Sequence, residues 1–305
     1  GSAAGGTAAA GSSAAGAAAG SSAAGSSVAG SSTAGSSAAG SSAAGSSAAG
    51  SSAAGSSAAG SSAAGSSAGG SSAAGAAGGS VGTGAACTKA KAACTASNTG
   101  CNVSSYYFYD NQWNCGPQSG NHCGAESGYA CANADQSVSF VVTSNEPAKN
   151  TAVLTYPAVQ KNFTGKPPLA SFKSITSTFS ETSPHVGDYE VAWDCWFNGL
   201  ANEVMVWVDN YNQVPAGKKV ASNVTLSGHG WDVWYVASSG YLAFNATSTI
   251  TSGTIDLLAL FKYAASNGWL PADATVSQLA FGIEVCSTDG KDATFTVDDY
   301  SLTAN

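Results

Sequence analysis

The sequence predicts an all-β domain, a two-sheet sandwich or jelly roll with one α-helix, preceded by a long low-complexity stretch. Three observations carry this reading. From Cys87 onward, short runs of alternating apolar and polar residues recur between clusters of Gly, Asn, Pro and Ser. One segment, Gly253 to Gly268, departs to helical spacing. All seven Trp, eleven Tyr and eight Cys lie after residue 85.

Residues 1–85 are almost entirely Gly, Ser and Ala, with a clear Gly-Ser-Ser-Ala-Ala repeat from about residue 36 to 65. Such a stretch cannot bury enough apolar surface to offset the entropy of ordering it, so it is expected to be disordered. Its composition is that of a flexible tether. It reads either as a linker that joined the domain to another module, such as a polysaccharide-binding one, or as a spacer or O-glycosylated stalk. The globular part then runs over residues 86–305, long enough for one all-β domain with a sizeable core.

That part opens with six cysteines: Cys87, Cys94, Cys101, Cys115, Cys123 and Cys131. Dense cysteine in a loop-rich segment points to disulfides and an oxidising compartment. Zinc fits less well, because no C-x-x-C pair occurs. Six cysteines allow 15 pairings, and the sequence chooses none. No basic n-region or apolar h-region is visible at Gly1, so a leader either removed or lying outside this sequence is the expectation for a secreted domain.

The strands follow in order: Ser137 to Thr143, Tyr189 to Phe197, Glu203 to Val208, Trp231 to Val236, Leu279 to Val285 and Ala293 to Leu302. Between the fourth and fifth, Ile255, Leu258 and Phe261 fall at helical spacing. Thr254 can cap that helix, Gly268 can end it, and Pro271 follows.

Net charge is −8, with only 10 Lys and Arg, so no basic stripe matches a phosphate backbone and nucleic acid is excluded as a partner. No run approaches the ~18 apolar residues of a membrane span. An acidic, aromatic-rich domain suits a neutral ligand with apolar faces and many hydroxyls, such as a sugar.

Strand alternation sharpens this. In NEVMVWV, Val204, Val206 and Val208 share the core face, while Glu203, Met205 and Trp207 share the other. In VAWDCWF, the second face carries Ala192, Asp194 and Trp196; in FGIEVC it carries Gly282, Glu284 and Cys286. One acid on the outer face of a strand is ordinary surface. Three acids flanked by Trp and Met are not, because a freely solvated face rarely carries so many large apolar groups. A concave, aromatic-lined sheet with carboxylates is what sugar hydrolysis needs: one acid attacks or activates water, and another, kept protonated, gives its proton to the leaving oxygen.

The run VAWDCWFNGLANEVMVW resembles the nucleophile region of glycoside hydrolase family 12, the small jelly-roll endoglucanases and xyloglucanases. FGIEVCSTDGKDATFTVDDYSLT resembles its acid/base strand, and YYFYDNQWN its early aromatic segment. HGWDVWYV and TIDLLALFKYAASNGWLP are similar to its W-E-V-W strand and single helix. The resemblance covers about residues 103–304. It implies a secreted, monomeric, retaining endo-β-1,4-glucanase acting on cellulose, mixed-linkage β-glucan or xyloglucan, with no metal or cofactor. Glu203 is then the nucleophile, Glu284 the acid/base, and Asp194 the acid that orients the nucleophile. Trp113, Asn111, Met205, Trp196 and Trp207 line the substrate cleft. Retention implies carboxyls of Glu203 and Glu284 about 5–5.5 Å apart.

The sequence departs from the family at Trp193, where Tyr is common, at Asn114, where Gly is usual, and at Cys286, where a large residue is usual. These departures bear on subsite shape and substrate choice. Cys195 and Cys286 fall on opposite strand faces, so they are not expected to pair with each other. A non-catalytic glycan-binding jelly roll on a flexible stalk is the alternative function, and a cell-wall structural role for the repeat a third. A xylan substrate is a weaker reading of the same acid pair. Sequons begin at Asn102, Asn162, Asn223 and Asn245.

Overall fold

The computed structural model describes residues 87–95, 100–116, 119 and 121–305. The stretch 1–85 read above as a disordered linker lies outside the described residues. Among the described residues, two sheets pack face to face. The six-stranded sheet runs, in spatial order, β1 (Cys94–Thr95), β4 (Ala125–Ala132), β5 (Val138–Asn145), β15 (Ala293–Ala304), β7 (Ile175–Thr182) and β13 (Ser252–Asp256). The nine-stranded sheet runs β10 (Lys218–Leu226), β11 (His229–Val236), β12 (Tyr241–Ala246), β9 (Asn202–Tyr211), β8 (Asp188–Phe197), β14 (Val276–Ser287), β6 (Ala158–Asn162), β3 (Tyr106–Tyr109) and β2 (Cys101–Val103). This is a β-jelly roll, and each strand expected from the alternation is present.

The alternating residues fill the space between the sheets. Val204, Val206 and Val208 of β9, Val191, Trp193, Cys195 and Phe197 of β8, and Phe281, Ile283 and Val285 of β14 belong to one continuous core. Aromatic rings carry that core from sheet to sheet. Phe281 of β14 stacks on Tyr300 of β15 at 5.1 Å between centroids, and Phe179 of β7 meets Trp193 of β8 edge-on at 5.1 Å. Trp193 is fully buried, and its indole N–H donates to Ser177 Oγ at 3.1 Å. Its departure from the family's Tyr therefore lies in the core between the sheets.

The helix α1 spans Leu257–Ser266 and packs Leu257, Leu258, Leu260, Phe261 and Ala264 inward. Its start corrects the sequence expectation. Thr254 sits in β13 and hydrogen-bonds Thr178 across the ladder, whereas Asp256 is the cap, accepting from Ala259 N at 3.1 Å. Both residues have capping chemistry and both pair with β7, but Asp256 ends the ladder and stands directly before Leu257, where its carboxylate reaches the first-turn N–H. Gly268 ends the helix as expected, in the left-handed region at φ +73°.

The six early cysteines pair as Cys87–Cys131, Cys94–Cys101 and Cys115–Cys123. Cys94 lies in β1 and Cys101 in β2, the edge strands of the two sheets, so that bond staples one side of the sandwich. Cys195 and Cys286 are free and buried.

Candidate active site

The site lies on the face of the nine-stranded sheet opposite the core, and strand register decides which side chains meet there. Asp194 of β8 sits across from Met205 of β9 on one side and Ala280 of β14 on the other. Glu203 of β9 is paired with Trp196, and Glu284 of β14 with Glu190. The partners of the two glutamates are thus six positions apart on β8, ~20 Å along a flat strand. The sheet is not flat. Register shifts at Val191/Ala192 and Val285/Ser287 add local twist and bend, and the acids come within electrostatic reach of one another.

Small residues make the floor. Ala192, Ala243, Ala158 and Ala280 are buried there, and Tyr156 donates its hydroxyl to Ala192 O at 3.0 Å. Trp113, half-buried, packs against Tyr156, Ala158 and Ala280 at the β6 side. Asn111 brings it there: it turns at φ +46°, and its carbonyl accepts Tyr156 N at 3.1 Å. Asn114, the other departure nearby, is tied down by its side-chain N–H to Val153 O at 2.6 Å.

On the β12 side, Met205 and Trp207 are buried, and Trp234 and Tyr241 pack against them. Trp207 donates its indole N–H to the Met205 sulfur at 3.4 Å. These two residues form a closed apolar floor in this structure, not an open platform. Trp196 is half-buried, and its indole N–H is committed to Asp194 Oδ2 at 2.7 Å.

Four carboxyl groups therefore share a site in which, among the described residues, no Lys, Arg or His pairs with any of them. Burial and like charge push all of them up. Asp194, 8% exposed, rises to about 8 by desolvation, then by Glu284, with the Trp196 hydrogen bond opposing. Glu203, partly open to the cleft, is held well above the carboxylate range by desolvation, Asp194 and Glu284. Glu284, 9% exposed, is also held well above it, by desolvation and by the charge of Glu190, to which it is hydrogen-bonded. Glu190, 1% exposed, rises to about 7 by desolvation, with the Glu284 hydrogen bond pulling down.

Glu190 and Tyr241, like Tyr156 and Trp234, are site residues the sequence reading did not single out. Glu190 was findable, because alternation puts it on the face of Ala192 and Asp194. Tyr241 was not: it stands beside Glu203 only through the parallel pairing of β12 with β9, which no local pattern encodes.

A jelly roll with carboxyls gathered on an aromatic-bordered open face has the architecture of a glycoside hydrolase. The comparisons give the family. The model of glycosyl hydrolase family 12 matches residues 104–305. Endoglucanase A of Aspergillus kawachii is 32% identical over 143 residues, 44% of this chain and 53% of that protein, so the match spans about half of that relative. An inactive glycoside hydrolase, XLP1, of Phytophthora nicotianae is 26% identical over 216 residues, 66% of this chain and 87% of that protein. Among solved structures, the xyloglucanase domain of the effector NopAA from Sinorhizobium fredii, in complex with cellobiose, superposes with a TM-score of 0.60 at 22% identity, covering 70% of this chain and 99% of that one. A family 12 xyloglucanase from Bacillus licheniformis gives 0.56 at 21%, with 70% and 99% covered. The chain belongs to glycosyl hydrolase family 12.

Proposed function

We propose that this protein is a secreted, retaining endo-β-1,4-glucanase acting on cellulose, mixed-linkage β-glucan or xyloglucan. The observation that carries the reading is the convergence of Glu203 from β9 and Glu284 from β14 on either side of Asp194, within electrostatic reach of each other. The three disulfides favour an oxidising compartment. Among the described residues, no helix is long and apolar enough to cross a membrane.

Four acids so placed cannot all ionise, and their surroundings divide the labour. Glu284, buried and hydrogen-bonded to Glu190, keeps its proton and serves as the acid. Glu203, the more open of the pair, attacks the anomeric carbon. Asp194 has one oxygen held by Trp196, while Oδ1 meets no hydrogen-bond partner and is free to take up the Glu203 proton, which leaves Glu203 ionised for attack and oriented by the protonated neighbour. In the first step the Glu203 carboxylate forms an ester with the sugar as Glu284 protonates the leaving oxygen. In the second, the Glu284 carboxylate takes a proton from water, which cleaves the ester with the configuration retained. Trp113 stacks on a sugar ring, Asn111 positions it, and Met205, Trp196 and Trp207 shape the cleft around the acids.

A 2-fluoro cellobioside with a good leaving group tests the reading. Mass analysis should find the sugar esterified on the peptide carrying Glu203. A label on another carboxyl of the site would overturn the assignment. The inactive relative from Phytophthora favours a second reading, a glycan-binding jelly roll without turnover. Under that reading, glucan binds but neither label nor cleavage appears.

A further inference from the structure

Glu190 is not required by the two-carboxylate scheme, yet it occupies the position that most directly controls the acid. It is the cross-strand partner of Glu284, on the same open face, and it is 1% exposed. Directly opposite residues in an antiparallel pair have Cβ atoms ~5 Å apart, and two ionised carboxylates there repel. No cation among the described residues relieves the pair. The directly opposite neighbour of Glu190 on β9 is Asn210, an amide whose side-chain N–H goes to Asn245, and the titratable groups around the pair are all acids or weak acids. Asp188 and Asp194 are on β8, Cys286 on β14, Glu203 on β9, Tyr241 on β12, and Tyr156 lies just before β6. Gln213 donates to Cys286 Sγ at 2.8 Å beside the pair.

We propose that Glu190 is a positioning residue that holds a shared proton on Glu284 and aims it, extending the pH range over which Glu284 can act as an acid. The proposal rests on the assignment of Glu284 as the acid/base. One proton lies between the two carboxyls, on Glu284, donated to Glu190. Glu284 releases that proton to the leaving oxygen and regains one from the attacking water, so Glu190 gains and loses nothing over a turnover. The arrangement uses like-charge proximity to raise one acid, as in carboxyl dyads generally.

The test is Glu190→Gln, which keeps shape, removes the neighbouring charge and offers an N–H that favours ionised Glu284. The basic limb of kcat/KM on a soluble β-glucan should move to lower pH by about one unit or more. On a dinitrophenyl β-cellobioside, whose leaving group needs no proton, glycosylation should be almost unaffected. In a chain labelled at Glu carboxyl carbons, the Glu284 resonance should titrate lower by a similar amount. A folded variant with an unmoved basic limb and an unmoved Glu284 titration overturns the proposal. If Glu190→Gln does not fold, Glu190→Asp, which retracts the carboxyl by one methylene, is read by the same shifts. The resonance also separates the two readings: a lowered Glu284 titration in a protein that cleaves no glucan leaves the pair standing and removes the glucanase assignment.

Discussion

Gly282 has no side chain because Pro157 occupies the space. A Cβ built at Gly282 would lie 2.2 Å from Pro157 O and 2.6 Å from Ala158 Cβ, and the same carbonyl accepts Ile283 N at 3.2 Å. Gly282→Ala must therefore push β14 off β6, two residues before Glu284. The expected result is lower stability together with a fall in kcat larger than any change in KM, since the displaced residue is the proton donor. Thermal melts and glucan kinetics check both. At this scale much was legible: alternation alone put Glu203, Asp194 and Glu284 on one face among aromatics. Local pattern could not say that Glu284 faces Glu190, since that depends on the register of strands far apart in sequence. Nor could it say that Met205 and Trp207 would be buried against Trp234 and Tyr241.

At the scale of elements, competition between local signals explains the helix start that the sequence misplaced. Thr254 and Asp256 both suit a helix start and both pair with β7, but only Asp256, the last residue of the ladder, directly precedes the first helical turn and reaches the N–H of Ala259. Asp256→Ala should cost about 1 kcal/mol, the usual worth of an N-cap, and lower Tm by roughly 2–4 °C for a domain of this size. Thr254→Ala should cost less, since it removes one exposed cross-strand hydrogen bond. A larger effect at Thr254 than at Asp256 in paired melts would contradict the capping assignment. The cysteine framework was legible as a framework only. The Cys94–Cys101 pairing follows from bringing β1 and β2 to the same side of the two sheets, information that lies in the topology and not in the spacing.

At the scale of the whole molecule, the dominant electrostatic feature is burial of acids without cations. Besides Glu190 and Asp194, Glu126 rises to about 8, Glu181 to about 7 and Asp110 to about 6, each first by desolvation. All are raised above their unfolded values near 4. Each therefore stabilises the fold fully below the unfolded pKa, and that contribution is lost as pH rises through the folded one. Calorimetry from pH 4 to 9 should show Tm falling most steeply between about pH 5 and 6, where the folded acids still hold protons that the unfolded chain has lost, and levelling off above about pH 8. A Tm that rises over this window would mean these groups are ionised in the fold. The two-sheet architecture itself was legible because a period of two recurs with one helical exception. The strand order was not, since each sheet is assembled from strands distant in sequence.

The account turns on Glu203 and Glu284 acting as a catalytic pair. The most direct measurement is reducing-sugar release from xyloglucan, barley β-glucan, carboxymethylcellulose and xylan by the protein, by Glu203→Gln and by Glu284→Gln. The account predicts release from at least one β-1,4-glucan and a loss on the order of 10²–10⁴-fold or more in either folded variant. A folded protein that releases sugar from none of them, or a Glu203→Gln variant as active as the parent, would contradict it.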